Sequence, residues 1–197
     1  MSLDATHVRA TASACVGLLR DQLDNNWMAP IPDLDMTVAG VVAHMARVCL
    51  FYAVDLTARG DDPECIELGI DATADPKLLV DALQTCSTML ATAVDAAGPD
   101  ARGFHPWGAA DRSGFAAMAC DEMLIHTDDA ARGFGIEFTP PLELAELTLR
   151  RLFPWVSDVS DPWAQLRWAN GRIPFEDQPQ LDQWKWHCAP LDEWRTD

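Results

Sequence analysis

The residues best suited to chemistry in this sequence are Glu122 and His126, which lie in the stretch from Ser113 to Gly135. A spacing of four places two side chains one above the other on a single helix face. Apolar residues at helical spacing make this the core-facing side of a helix: Phe115, Met118, Ala119, Ile125, Ala130 and Phe134. A carboxylate and an imidazole in an apolar core are costly unless they are paired or bind a metal ion. The pair therefore indicates a metal site, with a plain surface ion pair as the alternative.

Two ligands do not complete a metal site, so a third must come from elsewhere in the chain. His44 is a candidate because it lies at the edge of the apolar face of another predicted helix. A side chain at such an edge can lean across to a facing helix. The alternative for a single histidine is a hydrogen bond to water or to the backbone. Together, His44, Glu122 and His126 would offer two imidazoles and one carboxylate.

This set of donors limits the metal and the kind of site. Three protein ligands leave coordination positions open, which is typical of catalytic and not of structural metal sites. Zinc fits imidazole and carboxylate ligands best, and nickel and iron accept the same ligand types. The open position can hold a thiol or activate a water molecule.

Other charged residues lie close to the candidate ligands in the sequence. Asp129 shares a helix face with His126, where it can either orient the imidazole or pair with Arg132. Arg47 follows His44 by about one helical turn. Arg47 and Arg132 can receive an acidic substrate, or they can be ordinary solvated surface residues.

Apolar periodicity predicts the helices that would position these side chains. The predicted helices cover residues 4–23, 37–60, 75–98, 113–135 and 142–153. Thr37 and Ser113 are the expected N-caps of the second and fourth helices, and Gly135 is the expected left-handed stop of the fourth. Four long helices with modest loops predict a mainly α fold, an antiparallel four-helix bundle.

The C-terminal part of the chain has a different pattern. Residues 163–168 and 183–188 alternate at a period of two, and Asn170-Gly171 is a turn signal between them. We expect short strands or extended segments whose tryptophans pack on the bundle. The predicted organisation is a bundle over residues 1–155 and a short Trp-rich annex, extended or β, over 156–197. His105 precedes a proline in a turn-rich segment, where it is either a residue at the rim of a site or simply exposed, and the exposed position is favoured.

The composition narrows the possible partners and location. The net charge of -17 argues against nucleic acid and anionic membrane surfaces as partners. The six cysteines have no C-x-x-C spacing, which favours buried apolar cysteines in a reducing compartment over a cysteine-rich zinc site. No signal peptide and no apolar run close to the roughly 18 residues of a membrane span is apparent, so we expect a cytoplasmic protein.

The order of two motifs resembles a known family. T-x6-H begins at Thr37, and D-E-x3-H-T-x-D begins at Asp121. This arrangement resembles the mycothiol-dependent maleylpyruvate isomerase family, which belongs to the DinB-like metal-binding helix bundles. The tail, with WAQLRWANGRIPF and WKWHCAPLDEW, is similar to the C-terminal stretch of actinobacterial members. The resemblance implies a zinc-type site made by His44, Glu122 and His126, and the use of mycothiol or a similar low-molecular-weight thiol.

These expectations lead to a testable function. A dication that holds a thiol lowers its pKa, so that the nucleophilic thiolate is populated near neutral pH. The expected protein is a metal-dependent S-transferase or cis–trans isomerase that acts on a small-molecule electrophile. Two alternatives remain open at this point. One is a binding or stress-response module without turnover, and the other is a metal-dependent hydrolase.

Overall fold

The computed structural model describes residues 2–58, 60 and 65–195. Within them the chain is mainly α-helical, as the sequence predicts. The helices are α1 (Ala5–Arg20), α2 (Val38–Ala58), α3 (Pro76–Ala96), α4 (Arg112–Phe134), α5 (Leu142–Leu152) and α6 (Pro162–Ala169), with one 3₁₀ turn at Leu191–Glu193. A two-residue antiparallel ladder joins β1 (Arg102–Gly103) to β2 (Ala110–Asp111) just before α4.

The four long helices form the bundle. α2 packs against α3 and α4, and α1 packs against the same two helices. α2 and α4 run antiparallel, because Val38 lies beside Gly133 at one end and the rings of Tyr52 and Phe115 are 5.8 Å apart at the other. This direction brings the middle of α2, with His44, opposite the middle of α4.

The predicted caps of α2 and α4 are confirmed except at the start of α4, and α1 ends at Arg20, three residues before its predicted end. Thr37 caps α2 by accepting a hydrogen bond from the Gly40 amide at 3.1 Å, and Gly135 ends α4 with a φ of 72°. The prediction that Ser113 caps α4 is wrong. The cap is Asp111, whose carboxylate accepts the Gly114 amide at 2.7 Å. Ser113 lies inside the first turn, where its hydroxyl accepts a hydrogen bond from Arg151.

α2 corrects another expectation from the sequence. It is long and apolar enough, by length and composition alone, to cross a membrane, although no such run was expected. A helix that is apolar on most of its surface is either a membrane span or a buried core element. In the bundle α2 is the core element, and its buried residues include Val38, Val41, Val42, Met45, Cys49, Tyr52 and Leu56.

The first tail segment is a helix. Residues 163–168 belong to α6, so the prediction of a strand or extended segment there is wrong. Asp161 caps this helix by accepting the Ala164 amide, and Pro162 occupies its first turn. Trp163, Leu166 and Ala169 are buried at helical spacing. The Asn170-Gly171 turn is confirmed, with Gly171 at a φ of 65°.

The second tail segment, residues 183–188, is extended but does not pair in a sheet among the described residues. Arg151 of α5 holds its end in place, because the buried guanidinium donates to the carbonyls of His187, Cys188 and Ala189 and to the carboxylate of Asp111. The Cys188 carbonyl passes so close to α4 that a Cβ at residue 114 would lie 2.2 Å from it. Glycine is therefore needed at that position.

Candidate metal centre

The three residues expected to bind a metal converge between α2 and α4. Oε2 of Glu122 lies 3.1 Å from Nε2 of His126 and 3.3 Å from Nε2 of His44. The two imidazole rings are 4.9 Å apart, and one ligand atom from each residue lies within 4.8 Å of the others. The structure thus brings all three together as a group that could hold a metal ion.

The spacing of these atoms fits a small dication. Zinc binds imidazole nitrogen and carboxylate oxygen at about 2.0–2.2 Å, so two ligands at a tetrahedral angle lie about 3.3 Å apart. The two nitrogen–oxygen distances of 3.1 and 3.3 Å are close to that value. Two of the three separations therefore match those between the ligands of a zinc ion.

The local fold explains why these atoms meet. Glu122 and His126 are one turn apart on α4, and the antiparallel α2 presents His44 to them from the edge of its core face. The side chains of Glu122 and His126 are only 10% and 14% exposed, whereas that of His44 is 30% exposed. The cluster is accordingly shielded on the side of α4 and accessible to solvent beside His44.

The charges of the cluster are strongly coupled. Burial opposes the ionisation of Glu122, but contacts with His126 and His44 outweigh it and hold the carboxyl pKa well below its usual range. Burial likewise opposes the charge on His126, but hydrogen bonds to Asp129 and Glu122 raise its pKa to about 9. A proton on His126 therefore compensates the carboxylate near neutral pH. A metal ion would take over that role and release the proton.

Tyr52 fixes the second oxygen of the carboxylate. Its buried hydroxyl donates to Oε1 of Glu122 at 3.2 Å, which leaves Oε2 directed at the two histidines. Burial raises the tyrosine pKa, and the negative charge of Glu122 adds to this effect. The hydroxyl therefore stays protonated and acts as a donor. The sequence gives only a weak signal for this role, a single tyrosine on the core face of a helix.

Asp129 completes the surroundings of His126. Its Oδ2 lies 2.9 Å from Nδ1 of His126, on the ring edge opposite Glu122. Arg172 of the tail also donates to this carboxylate. Both contacts outweigh the effect of burial and lower the pKa of Asp129. Of the two roles considered for Asp129, orienting His126 is the closer contact, since Arg132 approaches it only to 4.0 Å.

Neither arginine proposed as a receiver of acidic substrate contacts the three candidate ligands. Arg132 donates to the Pro32 carbonyl, and its guanidinium lies at the outer side of Asp129. Arg47 is exposed on α2, where its guanidinium lies 5.5 Å from the centre of the Phe51 ring. A role for either residue toward a substrate remains a prediction.

Asp121, the residue before Glu122, faces the tail. Its oxygens accept hydrogen bonds from the Asn170 amide at 2.9 Å and from the Trp186 indole at 3.0 Å. Burial raises the pKa of Asp121 to about 7, although both donors oppose that shift. The sequence does not predict these two contacts, because neither the turn signal at Asn170 nor the alternation around Trp186 indicates which side chain of α4 each residue meets.

The prediction that His105 is exposed is wrong. Its ring is half-buried among the aromatic rings of Tyr52, Trp107 and Trp186, at centroid distances of 5.6 to 6.1 Å. Burial lowers its pKa. The thiol of Cys188 lies 3.7 Å from its Nδ1. His105 thus forms part of the packing that covers the site from the side of the tail.

The cysteines follow the sequence-based expectation with one exception. All six are free thiols, and five of them are buried. Burial raises the pKa of Cys15 and Cys120 to about 12, which makes them inert apolar residues at neutral pH. Cys65 is the exposed one. No cysteine belongs to the candidate metal group.

Comparison with known proteins places this chain in a family. A family model described as the mycothiol maleylpyruvate isomerase N-terminal domain matches residues 8–131, a range that includes all three candidate ligands. The match ends before the C-terminal end of α4 and does not reach the tail. Searches of curated proteins and of solved structures found no match. Because the matched range covers more than half of the 197 residues, this chain belongs to the family of the mycothiol maleylpyruvate isomerase N-terminal domain.

Proposed function

We propose that this protein is a metal-dependent, thiol-using enzyme of the S-transferase or cis–trans isomerase type. His44, Glu122 and His126 bind a divalent metal ion, and zinc is the preferred one. The co-substrate is mycothiol or a similar low-molecular-weight thiol. The observation that carries the proposal is the convergence of the three donor atoms with solvent access beside His44. Membership of the family supports the choice of thiol.

The bound ion would supply one effect, a lower pKa for a thiol at its open position. Neighbouring side chains orient two of the three ligands, Glu122 and His126, toward the position of the ion. Tyr52 holds one oxygen of Glu122, so that the other oxygen points at the imidazoles. Asp129 accepts a hydrogen bond from Nδ1 of His126, which leaves the Nε2 lone pair free for the ion.

The chemistry follows from the thiolate. In S-transfer it attacks an electrophilic carbon, a carbon–sulfur bond forms, and the leaving group departs with its bonding electrons. In isomerisation it adds to an activated double bond, the resulting single bond rotates, and elimination regenerates the thiolate and the double bond. Both reactions consume a small-molecule electrophile and need no redox partner.

The test is thiol conjugation with monochlorobimane, measured by fluorescence with mycothiol as the thiol and the zinc-loaded protein as the enzyme. We expect conjugation above the uncatalysed background, and we expect Glu122→Gln to reduce it to background. Glu146→Gln, an exposed glutamate on α5, is the matched control and should behave as the wild type. Conjugation equal to background in the wild type would contradict the proposal and favour a non-catalytic module. Turnover of an ester or amide without any thiol would instead indicate a hydrolase.

A further inference from the structure

Arg172 lies in the tail, beyond the part of the chain that matches the family model. It makes the closest arginine contact with Asp129 among the described residues. Its Nε donates to Oδ1 at 3.1 Å, and its Nη2 donates to Oδ2 at 3.0 Å. Two parallel bonds between a guanidinium and a carboxylate fix the plane of the carboxylate as well as its position. The Asp129 side chain is almost fully buried, so these bonds are shielded from solvent.

The same carboxylate oxygen serves His126. Oδ2 of Asp129 lies 2.9 Å from Nδ1 of the imidazole and 3.0 Å from Nη2 of Arg172. An ionised carboxylate can only accept hydrogen bonds, so the proton of this contact belongs to Nδ1. Once a metal ion displaces the second proton of the ring, this contact keeps the remaining proton on Nδ1 and leaves Nε2 to bind the ion. Arg172, Asp129 and His126 are thus linked by consecutive hydrogen bonds, which fix the orientation of the imidazole and of its metal-facing Nε2.

The tail holds Arg172 in place by its own structure. The turn after α6 is fixed by the left-handed φ of 65° at Gly171, where a Cβ would lie 2.6 Å from the Leu181 carbonyl. Arg172 donates from its Nη1 to the Asn170 carbonyl at 3.1 Å and from its backbone amide to the Arg167 carbonyl at 2.8 Å. Asn170 is in turn anchored to Asp121 of α4. The guanidinium is therefore presented to Asp129 in a defined orientation.

We propose that Arg172 is a positioning residue of the metal centre, which acts by holding Asp129 against His126. The proposal rests on the proposed function, because it assumes that His44, Glu122 and His126 bind a metal ion. In this arrangement the helix bundle alone does not form the complete metal centre. The tail supplies an outer partner that raises the affinity for the ion.

The first test measures zinc affinity by competition with a chromophoric chelator. Loss of an outer hydrogen-bond partner typically lowers metal affinity by about 10–100-fold, and we expect Arg172→Gln to show a loss of that size. Arg167→Gln is the matched control. It removes an arginine of the same tail that lies 3.9 Å from Asp128 and stacks on Trp163, so it should keep the wild-type affinity. Equal affinity of Arg172→Gln and the wild type would overturn the proposal.

A double-mutant cycle separates positioning from a general effect on folding. If Arg172 acts through Asp129, then Arg172→Gln should cause no further loss of affinity in an Asp129→Ala background. The same fold loss in both backgrounds would overturn the proposal. Arg172→Lys, which keeps the charge but not the two parallel bonds, should lose less than Arg172→Gln and covers the case in which the glutamine variant does not fold. Failure of the wild type to bind zinc would instead refute the proposed function.

Discussion

Asp121 and Glu122 are neighbours on α4, both buried, and they lie in opposite electrostatic environments. Glu122 faces two histidines and a tyrosine of the bundle, and its pKa lies well below the usual range. Asp121 faces an amide and an indole of the tail, and its pKa rises to about 7. Burial opposes the charge of both residues, so burial does not explain the difference.

The hydrogen-bonding partners of the two carboxylates explain the difference between their pKa values. The imidazoles beside Glu122 can carry a positive charge, or give way to a metal ion, so the carboxylate is stabilised as an anion. The donors beside Asp121 are neutral, and they compensate only part of the desolvation. The comparison therefore distinguishes a carboxylate prepared for a cation from one that joins the tail to the bundle. Four predictions test this distinction, from the largest expected effect to the smallest.

The largest effect concerns metal content. Glu122→Gln replaces an anionic ligand by a neutral amide, and we expect it to lose zinc affinity by more than the roughly 100-fold upper limit for an outer partner. Asp121→Asn has the same change of charge one residue earlier and should keep one zinc per chain. The measurement is metal analysis after dialysis against a zinc buffer. Equal zinc content in the two variants would remove the distinction between the carboxylates.

The second effect concerns stability. Asp121→Ala leaves the Trp186 indole N–H without its partner, and the Asn170 amide keeps only its bond to the Leu166 carbonyl. Each buried N–H that loses its acceptor costs about 1–3 kcal/mol. We expect the free energy of unfolding in urea at pH 7 to fall by about 2–4 kcal/mol. Asp95→Ala, which removes an exposed partner of Arg9, should change it little. A loss at residue 121 no larger than that of the control would show that the tail is not held there.

The third effect is the dependence of stability on pH in the metal-free protein. Asp121 and His126 both have raised native pKa values, so the native state holds more protons than the unfolded state between the two values of each group. Stability should therefore fall as the pH rises from 3.8 to about 7 because of Asp121, and from 6.5 to about 9 because of His126. Glu122 has the opposite sign, and its contribution is lost as the pH falls below 4.5.

Urea unfolding at several pH values separates these contributions. Asp121→Asn should remove the lower of the two declining ranges, and His126→Gln the upper one. Zinc should also abolish the upper decline in the wild type, because the bound imidazole no longer carries the extra proton. A decline above pH 6.5 that is unchanged by zinc would mean that the ion does not bind His126.

The smallest effect concerns the neutral hydrogen-bond donors to the two carboxylates, Tyr52 for Glu122 and Trp186 for Asp121. Tyr52→Phe removes the hydroxyl that fixes Glu122, and we expect zinc affinity to fall by about tenfold, the lower end for an outer partner. Trp186→Phe removes the matching donor to Asp121 and should leave zinc affinity unchanged. Both values come from the same chelator competition. A larger loss of zinc affinity in Trp186→Phe than in Tyr52→Phe would contradict the assignment of Glu122 to the metal ion and of Asp121 to the tail.

The sequence predicts those parts of the site that a single helix determines. Glu122 and His126 share a face because of the helical repeat alone, and Thr37 and Gly135 are recognisable as helix ends. The periodicity of α2 alone does not predict that His44 is a ligand, because the contact between His44 and Glu122 depends on how α2 and α4 pack. The order of the motifs supplied that information, since the resemblance implies all three ligands together.

The parts that the sequence did not predict are contacts over long separations. Arg172, Asn170 and Trp186 reach α4 from irregular segments, and no local repeat indicates which side chains they meet. The prediction for His105 is wrong because its turn-rich surroundings suggest exposure, whereas the rings of Tyr52 and Trp186 from distant segments pack against it. The strand prediction for 163–168 failed for another reason. The Asp161-Pro162 pair has the same helix-start signal as Asp75-Pro76 of α3, and it outweighs the apparent alternation.

The most direct test of the central claim is anomalous diffraction at the zinc edge from crystals soaked in zinc. We expect one strong peak between α2 and α4, at about 2.0–2.2 Å from Nε2 of His44, Nε2 of His126 and a carboxylate oxygen of Glu122. A map with no peak at these three side chains, or with zinc bound only at other residues, would contradict the account.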